Sequence, residues 1–124
     1  MEGVAAMAKV LVKRIYEDPD ADDGTRVLVD RIWPRGVSRE RAHLDEWLKQ
    51  VAPSTELRKW YDHDPDKWAE FQDRYRDELS GDGEQADAFA TLEKLHNKGR
   101  VTVLTASKAV DISEARVLAD SLNA

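Results

Sequence analysis

The sequence predicts a small three-layer α/β fold with a mainly parallel central sheet and helices packed on it. Two runs dense in apolar and β-branched residues, Lys9–Tyr16 and Thr25–Ile32, precede a long helical stretch, and a third, Val101–Thr105, follows it and leads into a last amphipathic segment. Strand, helices, strand, helix is the order that sets a parallel sheet against helices. A length of 124 residues, 41% hydrophobic and 35% charged, suits one domain with a buried core and a charged exterior. That domain is expected over residues 9–124, after a flexible extension over residues 1–8.

Val10, Leu11, Val12 and Ile15 mark the first strand, which runs into an acidic loop interrupted by Pro19 and closed by Asp23-Gly24. The loop is too short for a helical crossover, so the first two strands should be antiparallel neighbours or not adjacent. Val27-Leu28-Val29 implies a second strand buried on both faces. Trp33-Pro34-Arg35-Gly36 ends it, because proline lacks the backbone donor and glycine admits a tight turn. Ser38 is placed to cap a helical turn reaching Arg41. Leu44, Trp47, Leu48 and Val51 follow at helical spacing, and Pro53 stops that run.

Ser54 should cap a short helix from Thr55 to Tyr61. Asp64-Pro65 is a helix start with aspartate at the cap and proline in the first position. Trp68, Phe71, Tyr75 and Leu79 then form an apolar stripe ending at Ser80–Gly83. Glu84–Asn97 is a further amphipathic helix carrying Phe89, Leu92 and Leu95, with Gly99 as its C-terminal cap. Val101–Thr105 is the expected central strand, and Asp111 or Ser113 opens the last helix, with Ala115, Val117, Leu118 and Leu122 on its buried face.

Composition removes several function classes. The chain has no cysteine, which rules out disulfides, thiol catalysis and thiolate metal sites and fits the reducing cytoplasm. No apolar run approaches the roughly 18 residues of a membrane span, and the first nine residues lack the pattern of a signal peptide. A net charge of −6 argues against a broad duplex-binding surface. Yet the stretch from Arg26 to Arg41 holds five arginines against Asp30 and Glu40 and is +3, leaving −9 for the rest. Arginine on an acidic background points to a focused anion site.

In an open parallel sheet, ligands bind beyond the carboxyl ends of the strands. The loops expected there are Arg31–Ser38 and Thr105–Lys108. They offer Arg31, Arg35, Ser38, Ser107 and Lys108, a set of charge-assisted donors and a helix start suited to phosphate or carboxylate. Alternatives stand beside each: Arg31 can pair with an acidic neighbour, and Trp33 can plug the sheet edge. Asp30 is a candidate general base; equally, it can hold an arginine or accept backbone donors. His63, flanked by Asp62 and Asp64, is a candidate acid/base imidazole, or a ring packed on Trp60 or Trp68. Trp60-Tyr61 and Trp68-x-x-Phe71 can stack a ligand ring, although core packing is the commoner use of such residues. The acidic loop imitates the opening of a calcium loop and then fails, with Asp23 where glycine is needed and Val29 where a bidentate glutamate is needed; a solvated, mobile loop is expected. His43, His63 and His96 are too scattered for zinc, and no dinucleotide, P-loop or hydrolase motif is present. No cofactor and no metal is expected.

The run Asp23–Gly36 resembles the YeaO-like branch of domain-of-unknown-function family 488. So does Ala52–Pro65, continuing into Trp68-Ala69-Glu70-Phe71 and Arg74-Tyr75. The resemblance covers nearly the whole chain after Lys9 and implies a compact cytosolic α/β domain; it assigns no reaction. The wider family's Asp-x-Arg-x-x-Pro core falls on Asp30, Trp33-Pro34 and Arg35, with Arg31 one position off the pattern. Related sequences carry Tyr-Ala-Ala-Lys-Asp after the last strand and then His-Asn. Here the residues are Thr105-Ala106-Ser107-Lys108-Ala109 and Ile112-Ser113, which keep only the lysine of the polar set and imply altered or lost activity if that set is catalytic.

The leading expectation is a site for a phosphorylated or otherwise anionic small molecule, nucleotides among the candidates, with Asp30 and His63 available for proton transfer if the protein is an enzyme. The rival is a non-catalytic interaction or regulatory module touching nucleic acid through the arginine-rich turn. A monomer and a homodimer burying Trp33 or the Trp60–Trp68 surface both fit.

Overall fold

The β-branched runs pair into one sheet. In the computed structural model, which describes residues 9–124, strands β1 (Leu11–Arg14), β2 (Thr25–Leu28), β3 (Glu46–Trp47) and β4 (Val101–Thr105) lie in the order β1-β4-β2-β3. Every neighbouring pair is parallel. β4 is central, and all five of its residues are buried. The acidic loop joins β1 to β2, which are parallel and separated by β4, so the non-adjacent alternative is the one realised. The extension expected over residues 1–8 lies outside the described residues.

Five helices pack on the sheet: α1 (Arg39–Ala42), α2 (Thr55–Tyr61), α3 (Trp68–Leu79), α4 (Glu84–Lys98) and α5 (Glu114–Asn123). Because strand side chains alternate between faces, the sheet serves two cores. Val27, Val29, Val101 and Val103 face the larger one, filled by Tyr61, Phe71, Tyr75, Leu92 and Leu118 from α2 to α5. Leu28 and Leu104 face the smaller one, with Ile15, Val37 and Ala42, backed by Trp33 and Trp47. The three layers are therefore unequal, four helices on one side and a short helix with its loop on the other.

Local signals set the helix starts. Ser38 Oγ accepts the Arg41 N–H at 3.0 Å, and Ser54 Oγ accepts the Leu57 N–H at 3.1 Å. Asp64 Oδ1 accepts the Asp66 N–H at 3.0 Å, and Pro65 begins a 3-10 turn that runs directly into α3.

Where the structure departs from local pattern, a tertiary partner is the cause. The helical spacing over Leu44–Val51 does not make an α-helix. Glu46 and Trp47 pair with Val27 and Leu28 as an edge strand, and only Lys49–Val51 turns, as 3-10. Backbone bonds from Asp45 N to Arg26 O and from Leu48 N to Leu28 O, both 2.9 Å, extend that pairing. β2 stops at Leu28, four residues before the expected end, and Ile32, which closes the apolar run, is 68% exposed. The acidic loop is not uniformly solvated either. Asp23 is buried, 2.5 Å from Arg26 and 3.1 Å from Lys13, and accepts the Asp20 N–H at 3.0 Å. Arg26 in turn donates to Ala42 O through Nε and Nη2, which ties the loop to α1.

Burial alone would raise the Asp23 pKa, but the hydrogen bonds from Asp20, Lys13 and Arg26 outweigh it and hold the group below its ordinary 3.8. A depressed carboxylate contributes stability that is present above its unfolded value and lost as pH falls through the folded one. Asp23→Ala is expected to cost about 3 kcal/mol, because it leaves Arg26 buried without its counter-charge. Thermal melts at neutral pH measure the loss, which should shrink toward strongly acidic pH.

Candidate functional site

Parallel strands deliver the ends of β2 and β4 to one edge of the sheet, and Asp30 joins them there. Its Oδ1 accepts the Thr105 hydroxyl and its Oδ2 accepts the Ala106 backbone N–H, both at 2.8 Å. Its backbone oxygen accepts the Trp47 indole N–H at 2.7 Å, which fixes β3 to the same corner. Glu114, the first residue of α5, hydrogen-bonds Asp30 and lies 3.4 Å from Thr105 Oγ1. Asp30 thus organises the end of the sheet, as the structural alternative in the sequence had it, with donors that come from β4 rather than from its own turn.

Above this carboxyl pair opens a cavity of about 450 Å³, within the range of small-molecule sites. One wall is the turn after β2, with Arg31, Trp33, Pro34 and Arg35. Another is the start of α2 and its loop, with Pro53 and Arg58, and Tyr61 and Phe71 are stacked behind it with centroids 4.2 Å apart. Tyr61 donates to Ile112 O at 2.7 Å, so this wall is bonded to the turn before α5. The loop at Ala52–Ser54 is held by Glu78, which accepts from Ser54 N and Gln85 Nε2 at 2.9 Å each.

Arg31 is partly buried, yet its guanidinium is barely engaged. Nη2 reaches Ala52 O and Pro53 O only at 3.4 Å, and Nε is buried without a hydrogen-bond partner. A buried donor left unmade is costly, so a partner of opposite charge would be favoured there. Arg35 is exposed at the mouth, and its carbonyl accepts the Tyr16 hydroxyl at 2.9 Å. Arg31 and the turn therefore present positive charge over a floor that carries Asp30.

Of the residues the sequence singled out, Asp30, Arg31, Arg35, His63 and Ser107 all line the cavity. Ser38 and Lys108 do not: Ser38 is used in capping α1, and Lys108 is exposed beyond the lining. His63 is exposed, with a left-handed backbone at φ 55°, and its ring lies 6.3 Å from Tyr61 rather than on Trp60 or Trp68. Trp68 packs on Tyr61 and Phe71, whereas Trp60 lies under Arg74 and Lys67, so neither is free to stack a ligand inside the cavity. Trp33 meets Trp47 edge-on at 5.4 Å and donates to Val37 O, which fits its role as a plug for the sheet edge. Glu114 and Arg58 escaped sequence reasoning. Glu114 reads as an ordinary acidic residue in a first helical turn, and Arg58 as one more cation on a solvent face. Among the described residues no group of three or more side chains is placed to hold a metal ion.

Burial, followed by the hydrogen bond and charge of Asp30, pushes Glu114 well above its ordinary 4.5. Glu114 therefore holds its proton more tightly than a free carboxyl group does. A raised carboxylate binds its proton more tightly in the folded state, so stability falls as pH climbs from the unfolded value toward the folded one. Glu114→Gln keeps the hydrogen bond and cannot ionise. Its melting temperature relative to the natural protein should rise as pH climbs above the ordinary carboxyl value; parallel curves would contradict the raised Glu114 pKa.

Comparison with known proteins places this geometry in a family. Uncharacterized protein Rv3073c of Mycobacterium tuberculosis and uncharacterized protein Mb3100c of Mycobacterium bovis are each 49% identical over 115 residues, 93% of this chain and 94% of theirs. Uncharacterized protein YeaO of Escherichia coli is 39% identical over 110 residues, 89% of this chain and 93% of its own. No solved structure matches. No helix among the described residues is long and apolar enough to cross a membrane. The family described as the inactive DUF488-N3 subclade matches residues 9–124, and with YeaO among its relatives the chain belongs to that branch of domain-of-unknown-function family 488.

Proposed function

We propose that the cavity binds a small anionic molecule, phosphate- or carboxylate-bearing, and that the protein acts by binding rather than by turnover. The observation that carries this reading is Arg31, a half-buried residue at the cavity whose buried Nε has no partner and whose Nη2 makes two long contacts. An anion at that point would supply the charge-assisted hydrogen bonds the side chain lacks. Arg35 and Arg58, at the mouth and on α2, add long-range attraction and further donors.

Two facts support binding without chemistry. The matched family is described as inactive. Where the family resemblance implies an aspartate, a histidine and an asparagine, this chain has Ala109, Ile112 and Ser113. In this reading Asp30 is a fixture of the floor and His63 a rim residue, and neither has to move a proton.

The test is calorimetric titration of the protein with inorganic phosphate and with benzoate, alongside thermal melts. Arg31→Ala should weaken binding by about 1.5–3 kcal/mol, roughly ten- to a hundredfold, while barely changing the melting temperature of the unliganded protein. Arg35→Ala should also reduce ligand-induced stabilisation without lowering the unliganded melting temperature. A large loss of unliganded stability in both variants would make these arginines structural and remove the basis of the proposal.

A further inference from the structure

We infer that the ligand of this cavity is a phosphate monoester whose remaining part carries a planar ring. The inference rests on the anion-binding reading and narrows it in charge and in shape.

Charge comes first. Arg31, Arg35 and Arg58 bring three guanidinium groups to the lining. Against them stand Asp30 and Glu114; burial and the neighbouring Asp30 push Glu114 well above its ordinary 4.5, toward its neutral form, so the floor counts as one negative charge. The excess is two positive charges. A carboxylate or a phosphodiester offsets one of them. A phosphate monoester, close to doubly charged above its second pKa of about 6, offsets both. Planar guanidinium groups also match the spread oxygens of a terminal phosphoryl group.

Shape supplies the second half. The wall behind α2 is apolar, built on the stacked Tyr61 and Phe71 with Pro53. At the rim Ile32 is 68% exposed, although the chain around it was patterned for burial. Inorganic phosphate would leave Ile32 in water, whereas Tyr61 and Phe71 are already buried and offer only their edges to the cavity. A ring attached to the phosphoryl group would lie along the wall and cover Ile32, removing apolar area from water. The space of about 450 Å³ is large for phosphate alone and suits a phosphoryl group with a ring-bearing body.

Calorimetry with four probes at one slightly alkaline pH tests this. The probes are phenyl phosphate, inorganic phosphate, methyl phenyl phosphate and benzoate. Phenyl phosphate should bind on the order of tenfold tighter than inorganic phosphate, from the buried ring, and on the order of tenfold tighter than the singly charged diester. Ile32→Ser, at an exposed position, should weaken phenyl phosphate severalfold and leave inorganic phosphate unchanged. If the diester or benzoate equals phenyl phosphate, the charge argument is overturned; if inorganic phosphate equals it, the ring argument is. In both cases anion binding itself stands. If no probe binds, the anion-binding reading fails and takes this inference with it.

Discussion

The Asp30 carboxylate is the interaction on which the rest of the site depends. It takes a hydroxyl and a backbone N–H from the end of β4, adjoins Glu114, the first residue of α5, and its own carbonyl holds the indole of Trp47. Four segments distant in the chain meet on one residue. Without that meeting the turn after β2 would have no fixed direction, and Arg31 would have no reason to lie beside Ala52 and Pro53. A half-buried carboxyl pair is costly unless its lone pairs are filled, and the Thr105 hydroxyl and Ala106 N–H fill those of Asp30.

A second polar centre supports the opposite end of the same strand. Asp23 with Lys13 and Arg26 sits near the start of β2, and Arg26 reaches across to Ala42 O. The short strand is thus held by buried charge at one end and by a carboxyl pair at the other, with Val27 and Leu28 packed into the two cores between them. Rigidity at these points lets the turn that follows Asp30 carry exposed Arg35 and Ile32 without collapsing onto the sheet.

Much of the fold could be read from the chain because its signals are local. Ser54 before Thr55–Tyr61, Asp64-Pro65 before α3 and the stripe of Phe71, Tyr75 and Leu79 each need only their own neighbours. β4 was readable as central because every one of its residues is apolar or β-branched. The misread segment, Leu44–Val51, has helical spacing whose side chains serve a different purpose: Trp47 is drawn to Asp30 O and its backbone to β2. Tertiary pairing overrode periodicity there. The site was half readable. Sequence arguments found Asp30, Arg31 and Arg35 through the loop that ends β2, and Ser107 through the loop that ends β4. They could not find Glu114, whose importance lies wholly in a contact with Asp30, nor Arg58, whose side of α2 is decided by how the helix docks. Ser38 and Lys108 fitted the chemistry and lie outside the cavity lining.

The central claim is that Asp30 and Glu114 set a floor over which Arg31 waits for an anion. The most direct measurement is a crystal structure of the protein soaked with tungstate, a tetrahedral dianion visible by its anomalous scattering. The account predicts an anomalous peak inside the cavity, within hydrogen-bonding distance of the Arg31 guanidinium and on the side facing Tyr61 and Phe71. A cavity without tungstate, with Arg31 instead engaged by a protein carboxylate, would contradict it.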